Sequence, residues 1–553
     1  MRSPVRTLCS SALVVFAGSL PTTAFAQDRL ERIDPARVEE NRPKLPTDAE
    51  APPPPTTLER RGTPSSGVSP STVVLSRVVI TGLMGLRTYD FDILVDPYLR
   101  RPLGTGELKT LVNAVVQRVR DEGYLFASAR ILPQSVEGGV LTITVDQGRV
   151  DGVRIEGYDD AFLRALLAPL VEGPVTRERL ERQLLLASDG LGTRIGQSEY
   201  HRTDAGRTLT VKAENDPVVG QASIDNWGSS FVGPVRARVS VGAGHILDGA
   251  DELRASLSFT PFQPREYIFG RLAYGRRFGT DGLEASVSGS YGYTRPGAIL
   301  RRRELRGESV LGTAQLSYPV VRSRQASVWS EVGVGLRRSR QEQFGIVVRD
   351  DRLTTLNAGV FGLTRLGDAR AYGRLTATQG LDLFGATDPG DVNASRTDAS
   401  GRFTSLYGRA SVVIPIVEQL EVELSGEGQL ASRPLLSSEE FGIGGADIGR
   451  GYDYSERLGD EGAAGSVELR YTISKGLPLM KQLQLLAFVD GGVTRDLGIR
   501  LFDGSIASAG FGARIDLPMK LSARITVGVP LTGPRDEDGS RSPRLGFTLG
   551  TRF

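Results

Sequence analysis

Hydrophobic and polar residues alternate one by one through most of the C-terminal part of the chain. The segment LEASVSGSYGY places Leu283, Val287 and Tyr291 at alternate positions, with serines at most of the positions between them. Because successive side chains of a β-strand point to opposite faces, such a segment has one apolar face and one polar face. ELRASLSF and the closing PRLGFTLGTRF alternate in the same way. Segments of about ten residues with this pattern, separated by turn residues, predict a transmembrane β-barrel over residues 217–553.

The same pattern predicts the number of strands. About sixteen alternating segments can be counted, with about 21 residues for each strand and its connection. They begin near residues 218, 235, 251, 266, 283, 309, 326, 352, 369, 401, 417, 463, 482, 503, 520 and 543. An even number lets the chain close antiparallel, and lipid requires closure because an open sheet edge would leave backbone polar groups unpaired. We therefore expect a barrel of about 16 antiparallel strands.

The main alternative to a membrane barrel is a soluble all-β domain. That fold would show shorter strands and a mixed polar outer face, whereas here one face of the segments is apolar. The opposite face carries many charges, at Arg254, Glu284, Arg374, Glu421, Glu423, Glu427, Glu468 and Arg470. Charged inward faces suit the hydrated lumen of a wide barrel, since a narrow eight-stranded barrel would be filled by side chains.

The residues before the barrel have helical periodicity instead. In TGELKTLVNAVVQRVRDEGY, Leu108, Leu111 and Val115 recur at the spacing of one helix face. VVLSRVVITG before this helix, and FASARILPQ and GGVLTITVDQ after it, are typical of strands. The plan then repeats with VDGVRIEG, two helical segments, SEYHRT and RTLTVKAE. We expect two small α/β domains, at residues 71–148 and 149–216.

The N-terminal part of the chain predicts three further segments. Two arginines, an apolar run too short to span a bilayer and the small-residue site A-F-A indicate a secretory signal peptide at 1–26. In the following stretch, 27–42, Asp34 can cap a short helix whose first residue is Pro35. The proline-rich residues 43–70 predict an extended linker.

The composition argues against several classes of function. The formal net charge of the 553 residues is +2, so no general basic field points to nucleic acid. The chain has one cysteine, Cys9, and two histidines, His201 and His245, which leaves no disulfide framework and no zinc cluster. Neither histidine lies near a nucleophile motif, and no P-loop is present. We therefore expect no enzyme, with no catalytic residue, cofactor or metal ligand.

Two short motifs carry the candidate chemistry. GRGYDY lies in GIGGADIGRGYDYSERLGDEG, a glycine-rich stretch too long for an ordinary hairpin turn. LAFVDGGV lies on a predicted strand whose parity directs Phe488, Asp490 and Gly492 into the lumen and Val489 towards lipid. A carboxylate on a barrel wall requires a partner. Arg450 is a natural one, because the glycines on both sides allow the backbone to turn sharply into the lumen.

With these motifs the chain resembles the two-partner secretion outer-membrane transporters, the ShlB/FhaC/HecB family of the POTRA-barrel superfamily. The two α/β units resemble POTRA domains, and ILPQ…GGVLTITVDQGRVDGVRIEG is close to the family pattern at their junction. ASIDNWGSSFVGPVRARVSVGAGHILDGADELRASLSF has the N-x-G…G…D-x-L rhythm of the family at the start of the barrel. The resemblance covers nearly all of the chain after the signal peptide.

The resemblance implies a role for each motif residue. In the family a long loop, here 431–462, folds back into the pore, and its R-G-Y arginine contacts the aspartate of F-x-D-x-G. On this chain the gating residues of the loop are Gly449, Arg450, Gly451 and Tyr452, and their partners on the barrel wall are Phe488, Asp490 and Gly492. Gly449 departs from the family pattern, which often has an aliphatic residue before the arginine. The helix within 27–42 is implied to be a plug inside the barrel.

The resemblance also implies location and function. The protein would lie in the bacterial outer membrane, with its POTRA domains in the periplasm. Those domains would recognise a large unfolded exoprotein client, such as an adhesin or a haemolysin, and the barrel would export it without ATP. Outer-membrane lipid and the machinery that inserts barrels are further implied partners, and the terminal Phe553 resembles the residue that this machinery recognises. Nucleic acid is not an expected partner.

Two alternative functions remain open at the level of the sequence. An outer-membrane protein assembly or insertion factor of the same superfamily would have the same barrel and loop motif, but three to five POTRA units and no plug helix. A passive porin or ligand receptor would have no need of residues 71–215. Two units and a proline-rich linker favour the exporter.

Overall fold

The computed structural model describes residues 32–40, 58–61, 72–132, 137–203, 206–247, 249–474, 479–498 and 504–553. The expected signal peptide and most of the expected linker lie outside these residues. Within them, no helix combines the length and the apolar character needed to cross a bilayer. The chain forms two α/β units followed by a β-barrel.

Two short elements precede the α/β units: helix α1, Pro35–Glu40, and strand β1, Leu58–Arg61. The carboxylate of Asp34 caps α1, because its Oδ1 accepts hydrogen bonds from the backbone N–H groups of Ala36 at 2.8 Å and Arg37 at 3.3 Å. The sequence therefore located both the start of this helix and its cap.

The first α/β unit packs one long helix on a three-stranded sheet. Its elements are β2 Val73–Val74, β3 Arg77–Thr81, α2 Asp92–Val95, β4 Pro102–Leu103, α3 Thr105–Asp121, β5 Ser128–Arg130 and β6 Val140–Asp146. The sheet order is β3-β6-β5, and α3 buries its predicted apolar stripe against it. The expectation of one strand over VVLSRVVITG was wrong. The chain breaks there because the Leu75 carbonyl accepts from Arg100 N–H at 2.7 Å while Ser76 N–H donates to the Gly139 carbonyl at 2.8 Å.

The second α/β unit has two helices on a four-stranded sheet. Its elements are β7 Gly152–Gly157, α4 Ala161–Leu167, α5 Arg177–Ser188, β8 Thr193–Thr203 and β9 Gly206–Asn215. The sheet order is β1-β8-β9-β7, so the fourth strand comes from the linker rather than from the unit itself. β1 runs parallel to β8, from Leu58 opposite Ser198 to Arg61 opposite His201. A linker strand in this sheet is a feature that the sequence did not predict.

The barrel closes with sixteen antiparallel strands. In chain order, with the two short strands β21 and β22 that stand outside its wall, the elements are β10 Val218–Asp225, β11 Arg236–Gly244, β12 Asp251–Phe259, β13 Tyr267–Phe278, β14 Leu283–Thr294, β15 Arg306–Arg322, β16 Ala326–Gln343, β17 Ile346–Leu366, β18 Ala369–Leu381, β19 Thr404–Val417, β20 Leu420–Ala431, β21 Phe441–Ile443, β22 Arg457–Gly459, β23 Glu461–Ile473, β24 Gln482–Arg495, β25 Gly504–Asp516, β26 Leu521–Pro530 and β27 Arg544–Arg552. β27 pairs with β10, which completes the closure. The predicted strand count is confirmed, and each predicted start lies within about six residues of an observed one.

The two faces of the wall follow the predicted alternation. Val287 and Val489 are exposed on the outer face, whereas Phe488 and Asp490 on the inner face are buried by material inside the barrel. The strands are joined by short turns at the near end, which faces the α/β units, and mostly by longer loops at the far end. The exception at the far end is the two-residue turn of Phe344 and Gly345 between β16 and β17.

The second α/β unit packs directly on the near end of the barrel. Arg182 donates to the backbone carbonyls of Asp281 and Pro319, at 3.0 and 2.9 Å. From the barrel side, Arg277 donates to the Leu186 carbonyl at 3.1 Å. These contacts place the unit beside the opening of the lumen.

Helix α1 lies inside the barrel. Its flanking residue Ile33 and its own Ala36 and Val38 are fully or almost fully buried, in a cluster with the inward side chains Tyr267 and Phe269. Helix α1 therefore occupies the far half of the lumen, because these wall residues lie where β13 meets the loops of the far end.

Candidate functional site

The loop 432–460, between β20 and β23, turns back into the barrel and is named the inward loop. Its two limbs pair as the hairpin of β21 and β22. An apolar cluster seats the loop on the wall, formed by Phe441, Ile443, Ile448 and Tyr452 of the loop with Ala464 and Ile506 of the strands. The loop ends differ by one or two residues from the predicted 431–462.

Arg450 at the tip of this loop is the centre of a buried ionic cluster. Its residue exposure is 1%, and its Nε lies 2.7 Å from Oδ2 of Asp490. Its Nη2 donates to Ser466 Oγ at 2.8 Å, and its Nη1 donates to the carboxylate of Glu468. The guanidinium thus bridges β23 and β24, whose register places Ser466 opposite Asp490. A planar fork with five donors suits several acceptors at once.

Phe488 supports the same guanidinium from one side. Its ring centroid lies 3.5 Å from Cζ of Arg450, within the range of a cation–π contact. Because the ring is buried, water does not screen this contact. Both inward residues of the F-x-D motif, Phe488 and Asp490, therefore bind the arginine directly.

The two carboxylates in the cluster are held by further partners. The other oxygen of Asp490 accepts from Ser508 on β25. Oε1 of Glu468 accepts from Arg470 Nε at 2.7 Å and from Arg514 Nη2 at 3.0 Å. Arg450 therefore enters a network that extends along the wall. Its departure would take the guanidinium away from the buried carboxylate of Asp490, whereas Glu468 keeps Arg470 and Arg514.

The glycines on each side of Arg450 are required by the local geometry. Gly449 has φ +83°, and a Cβ there would lie 2.7 Å from Cδ1 of Ile506. At Gly451 a Cβ would lie 2.8 Å from the backbone nitrogen of Pro530. The departure at Gly449 thus serves the turn that directs Arg450 at the wall.

The two remaining motif residues, Tyr452 and Gly492, have other contacts than the ionic cluster of Arg450. The hydroxyl of Tyr452 bonds to Oγ1 of Thr532 at 2.8 Å and accepts from Gly533 N–H at 3.1 Å, which ties the inward loop to the loop 531–543. Gly492 lies on β24, where a Cβ would lie 2.7 Å from the Ala463 carbonyl. Its role is the close packing of β24 on β23.

The inward loop also contacts the chain around α1. The Tyr454 hydroxyl donates to the backbone carbonyl of Arg32, and Arg32 Nη2 donates to the Glu456 carbonyl at 2.8 Å. Arg37 on α1 donates to the carbonyls of Ser437 and Glu440. The helix and the loop therefore form one connected body in the far half of the lumen.

One carboxyl group in this contact has a pKa close to neutral. Glu456 lies in the inward loop, outside the membrane-spanning strands, and is 2% exposed. Burial raises the pKa of Glu456 to about 7, while the nearby Arg32 opposes the rise and Asp453 and Asp536 add to it. The ionisation of this side chain is thus sensitive to its burial between the loop and α1.

Sequence reasoning missed several partners of the site. Glu468 was assigned to the inward face, but not to Arg450, and Ser466 and Ser508 were not singled out. The signal was available in part, because Ser466 and Glu468 share the inward parity of the strand next to Asp490. Within the described residues no group of three or more metal-ligating side chains is found.

Comparison with known families identifies two regions of the chain. The model described as haemolysin secretion/activation protein ShlB/FhaC/HecB matches residues 208–515. The model described as POTRA domain, ShlB-type, matches residues 73–148, the first α/β unit. Together they cover the barrel from β10 to β25 and part of the region before it.

Individual proteins are similar over most of the chain. The heme/hemopexin transporter protein HuxB of Haemophilus influenzae (strain 86-028NP) is 23% identical over 415 residues, covering 71% of this chain and 71% of HuxB. The outer membrane transporter CdiB of Escherichia coli is 25% identical over 489 residues, covering 85% of this chain and 81% of CdiB.

Solved structures share the fold. CdiB from Escherichia coli aligns with a TM-score of 0.73 at 20% identity, over 97% of this chain and 100% of that one. BamA from Haemophilus ducreyi lacking POTRA domains 1-3 aligns with a TM-score of 0.50 at 14% identity, over 87% of this chain and 100% of that one.

Proposed function

Because this chain belongs to the haemolysin secretion/activation protein family ShlB/FhaC/HecB, we propose that it is a pore that exports a partner exoprotein across the outer membrane. One observation carries the proposal: the charged lumen of a closed barrel is occupied by α1 and the inward loop, which belong to the chain itself. A lumen closed by movable parts suits a passage that opens for a large substrate.

The location sets the direction of export. The barrel lies in the outer membrane and the POTRA region lies in the periplasm. The near end of the barrel therefore faces the periplasm, and the inward loop descends from the outer surface. A client would enter beside the second α/β unit and leave past the inward loop and α1.

Arg450 acts as the latch of the inward loop in this proposal. Its partners Asp490 and Glu468 lie on the barrel wall, so withdrawal of the loop must break buried charge pairs. Such a break typically costs about 3–5 kcal/mol, which keeps the lumen closed at rest. Opening requires no ATP, because a client that folds outside supplies the free energy.

The α/β units would capture an unfolded client by adding it as a strand to a sheet edge. In the second unit the edge of β8 already carries β1, so a client would have to use the edge of β7. In the first unit the outer strands are β3 and β5. Capture by strand addition depends little on the side chains of the client, because main-chain hydrogen bonds supply the affinity.

The remaining partners are inferred from the surface of the barrel. Outward side chains such as Val287, Val489 and Phe511 are exposed and apolar, as contact with outer-membrane lipid requires. The C-terminal Phe553 is 62% exposed, which suits recognition by the machinery that inserts barrels. The family consists of transporters, and we infer that this chain carries out no catalysis and needs no cofactor.

The test of the latch is the substitution Arg450→Gln, with Arg495→Gln as a matched control. Arg495 ends β24, but its side chain is 63% exposed and pairs only with Glu461 among the described ion pairs. We expect Arg450→Gln to insert a folded barrel and to lose secretion of the client, and Arg495→Gln to secrete normally. Normal secretion by a correctly inserted Arg450→Gln barrel would rule out the latch.

Depletion of the protein tests the wider function. The proteins of the culture medium and of the outer membrane are compared before and after depletion. Loss of one large secreted protein supports the exporter. Loss of many outer-membrane proteins would indicate an assembly factor instead, and loss of small-solute uptake alone would indicate a porin.

A further inference from the structure

The inward loop has a second buried ionic cluster, at its root. The loop leaves β20 and rejoins β23 at the far end of the barrel, where the loop 382–403 lies beside it. The guanidinium of Arg396, from that neighbouring loop, enters the space between the two limbs and its side chain is 0% exposed. This cluster is separate from the one around Arg450.

Arg396 binds the two limbs and a third loop at once. Its Nη1 lies 3.1 Å from Oε1 of Glu440 and 2.8 Å from Oδ1 of Asp460. Its Nη2 donates to the Leu497 carbonyl at 2.9 Å, beyond the end of β24. Both Nε and Nη2 also lie 3.3 Å from the carboxylate of Asp398.

Asp460 makes the same connection from the other side. Its Oδ1 accepts from Leu435 N–H at 2.7 Å, on the outgoing limb of the inward loop. Its Oδ2 accepts from Leu497 N–H at 2.6 Å. Asp460 itself ends the returning limb and is 0% exposed, so one carboxylate joins both limbs to the loop after β24.

An apolar layer lies under these charges. Leu435 and Leu436 of the outgoing limb pack with Leu353 of β17 and with Ala399 and Phe403 of the loop 382–403. All five are buried, so the root is seated on the wall as well as cross-linked by Arg396.

We propose that Arg396 is a positioning residue that holds the root of the inward loop in place while the tip is released. Three carboxylates surround this single guanidinium, and without it they would repel one another and separate the limbs. The proposal rests on the proposed function of the inward loop as a gate, and it gives the loop a fixed pivot at the far end.

The partners of the two clusters distinguish their roles. At the tip, Ser466, Glu468 and Asp490 lie on membrane-spanning strands, so the contacts of Arg450 are lost when the loop withdraws. At the root, the partners lie on loops and at loop ends, beside the points where the limbs join the barrel. The root therefore stays intact whether the tip is bound or free.

The test measures the position of the loop in the full chain purified in lipid nanodiscs. Spin labels are attached to cysteines introduced at Asp447 of the inward loop and Asp368 of a near-end turn, both partly or fully exposed. The only native cysteine is Cys9, in the predicted signal peptide. Pulsed electron paramagnetic resonance then gives the distance between the labels in the parent, in Arg396→Gln and in Arg402→Gln. Arg402 lies in the same loop, with its side chain 53% exposed.

We expect one narrow distance distribution in the parent and in Arg402→Gln, and a second population at another distance in Arg396→Gln. Asp460→Asn should give the same second population while keeping the shape of the root. The double variant should be no broader than either single variant, because both act on one cluster. Resistance of the barrel to unfolding in detergent at room temperature confirms that each variant is folded.

An unchanged distribution in folded Arg396→Gln, or additive effects of the two substitutions, would overturn the proposal. Its failure is distinguishable from failure of the gate. A changed distance with normal client secretion would leave the root assignment standing and remove the gating role of the loop.

Discussion

At the scale of single residues, Phe488 offers a way to weaken the proposed latch without removing a charge. Phe488→Leu keeps an apolar side chain but removes the ring that lies 3.5 Å from the Arg450 guanidinium. A desolvated cation–π contact contributes about 2 kcal/mol, so release of the loop should become about 30-fold more frequent. The fraction of time spent open in planar lipid bilayers measures this change.

Phe511→Leu is the matched control for that substitution. Phe511 lies on β25, but its side chain is 63% exposed on the outer face of the barrel. It should leave the opening frequency as in the parent. Equal frequencies for Phe488→Leu and Phe511→Leu would show that the ring does not stabilise the closed loop.

Glu456 makes the closed arrangement dependent on pH. Its pKa is raised to about 7 in the buried state, above the ordinary value of a glutamate, so the buried state binds the proton more tightly than an exposed one. Stability from this group is present at low pH and is lost as the pH rises through about 7. We therefore expect channel opening to become more frequent as the pH rises from about 5 to about 7, by at most about tenfold per pH unit, and to level off above pH 7.

Glu456→Gln should flatten this dependence, because the amide does not titrate. The control is Glu418→Gln, at an exposed near-end turn, which should keep the parental pH profile. A profile that is steep in both variants would assign the pH dependence to another group, and the raised pKa of Glu537 beside the same loop makes it the next candidate.

The contact between Arg450 and Asp490 was anticipated from strand parity, whereas its other partners were not. Parity is a local property, since residues two apart on one strand share a face. The placement of Glu468 on Arg450 depends on the register between β23 and β24 and on how deeply the loop descends. Arg396 was not predicted for the same reason, because these partners come from two loops distant in sequence.

At the scale of elements, α1 should be dispensable for the barrel and required for closure. The barrel wall closes through hydrogen bonds between its own strands, from β10 through β27. Deletion of residues 32–40 should therefore raise the single-channel conductance and leave the barrel folded. Conductance in planar bilayers and the gel mobility of unheated protein measure the two effects.

Loss of the folded barrel in that variant would contradict the assignment of α1 as a separable plug. An unchanged conductance would contradict it as well, since it would mean that the inward loop alone closes the lumen. Replacement of 32–40 by a glycine–serine segment of equal length is the control for the change in chain length.

Elements with strong local patterns were predicted well, and those that depend on distant pairing were not. Alternation over ten residues defined the barrel strands, and helical spacing defined α3. β1 lies in a proline-rich stretch and exists as a strand because β8 offers it an edge. No local sequence pattern predicts that β1 has a parallel partner strand more than a hundred residues away.

At the scale of the whole molecule, the N-terminal part of the chain connects the second α/β unit with the far end of the lumen. The second α/β unit holds the near-end turns through Arg182 and Arg277, and β1 holds the linker on that unit. At the far end, α1 joins the inward loop through Arg32 and Arg37. The chain between these two ends is the segment 41–57.

Because β1 pairs with β8, that segment is a tether of fixed length between α1 and the sheet of the second unit. Fully extended, residues 41–57 reach about 60 Å, so α1 cannot move farther than that from the sheet of the second unit. A tether of this length keeps its ends at an effective concentration of about millimolar order. After the passage of a client, reclosure by α1 would then be a first-order event. Its rate would not depend on how many transporters the membrane holds, because each pore would be closed again by its own helix.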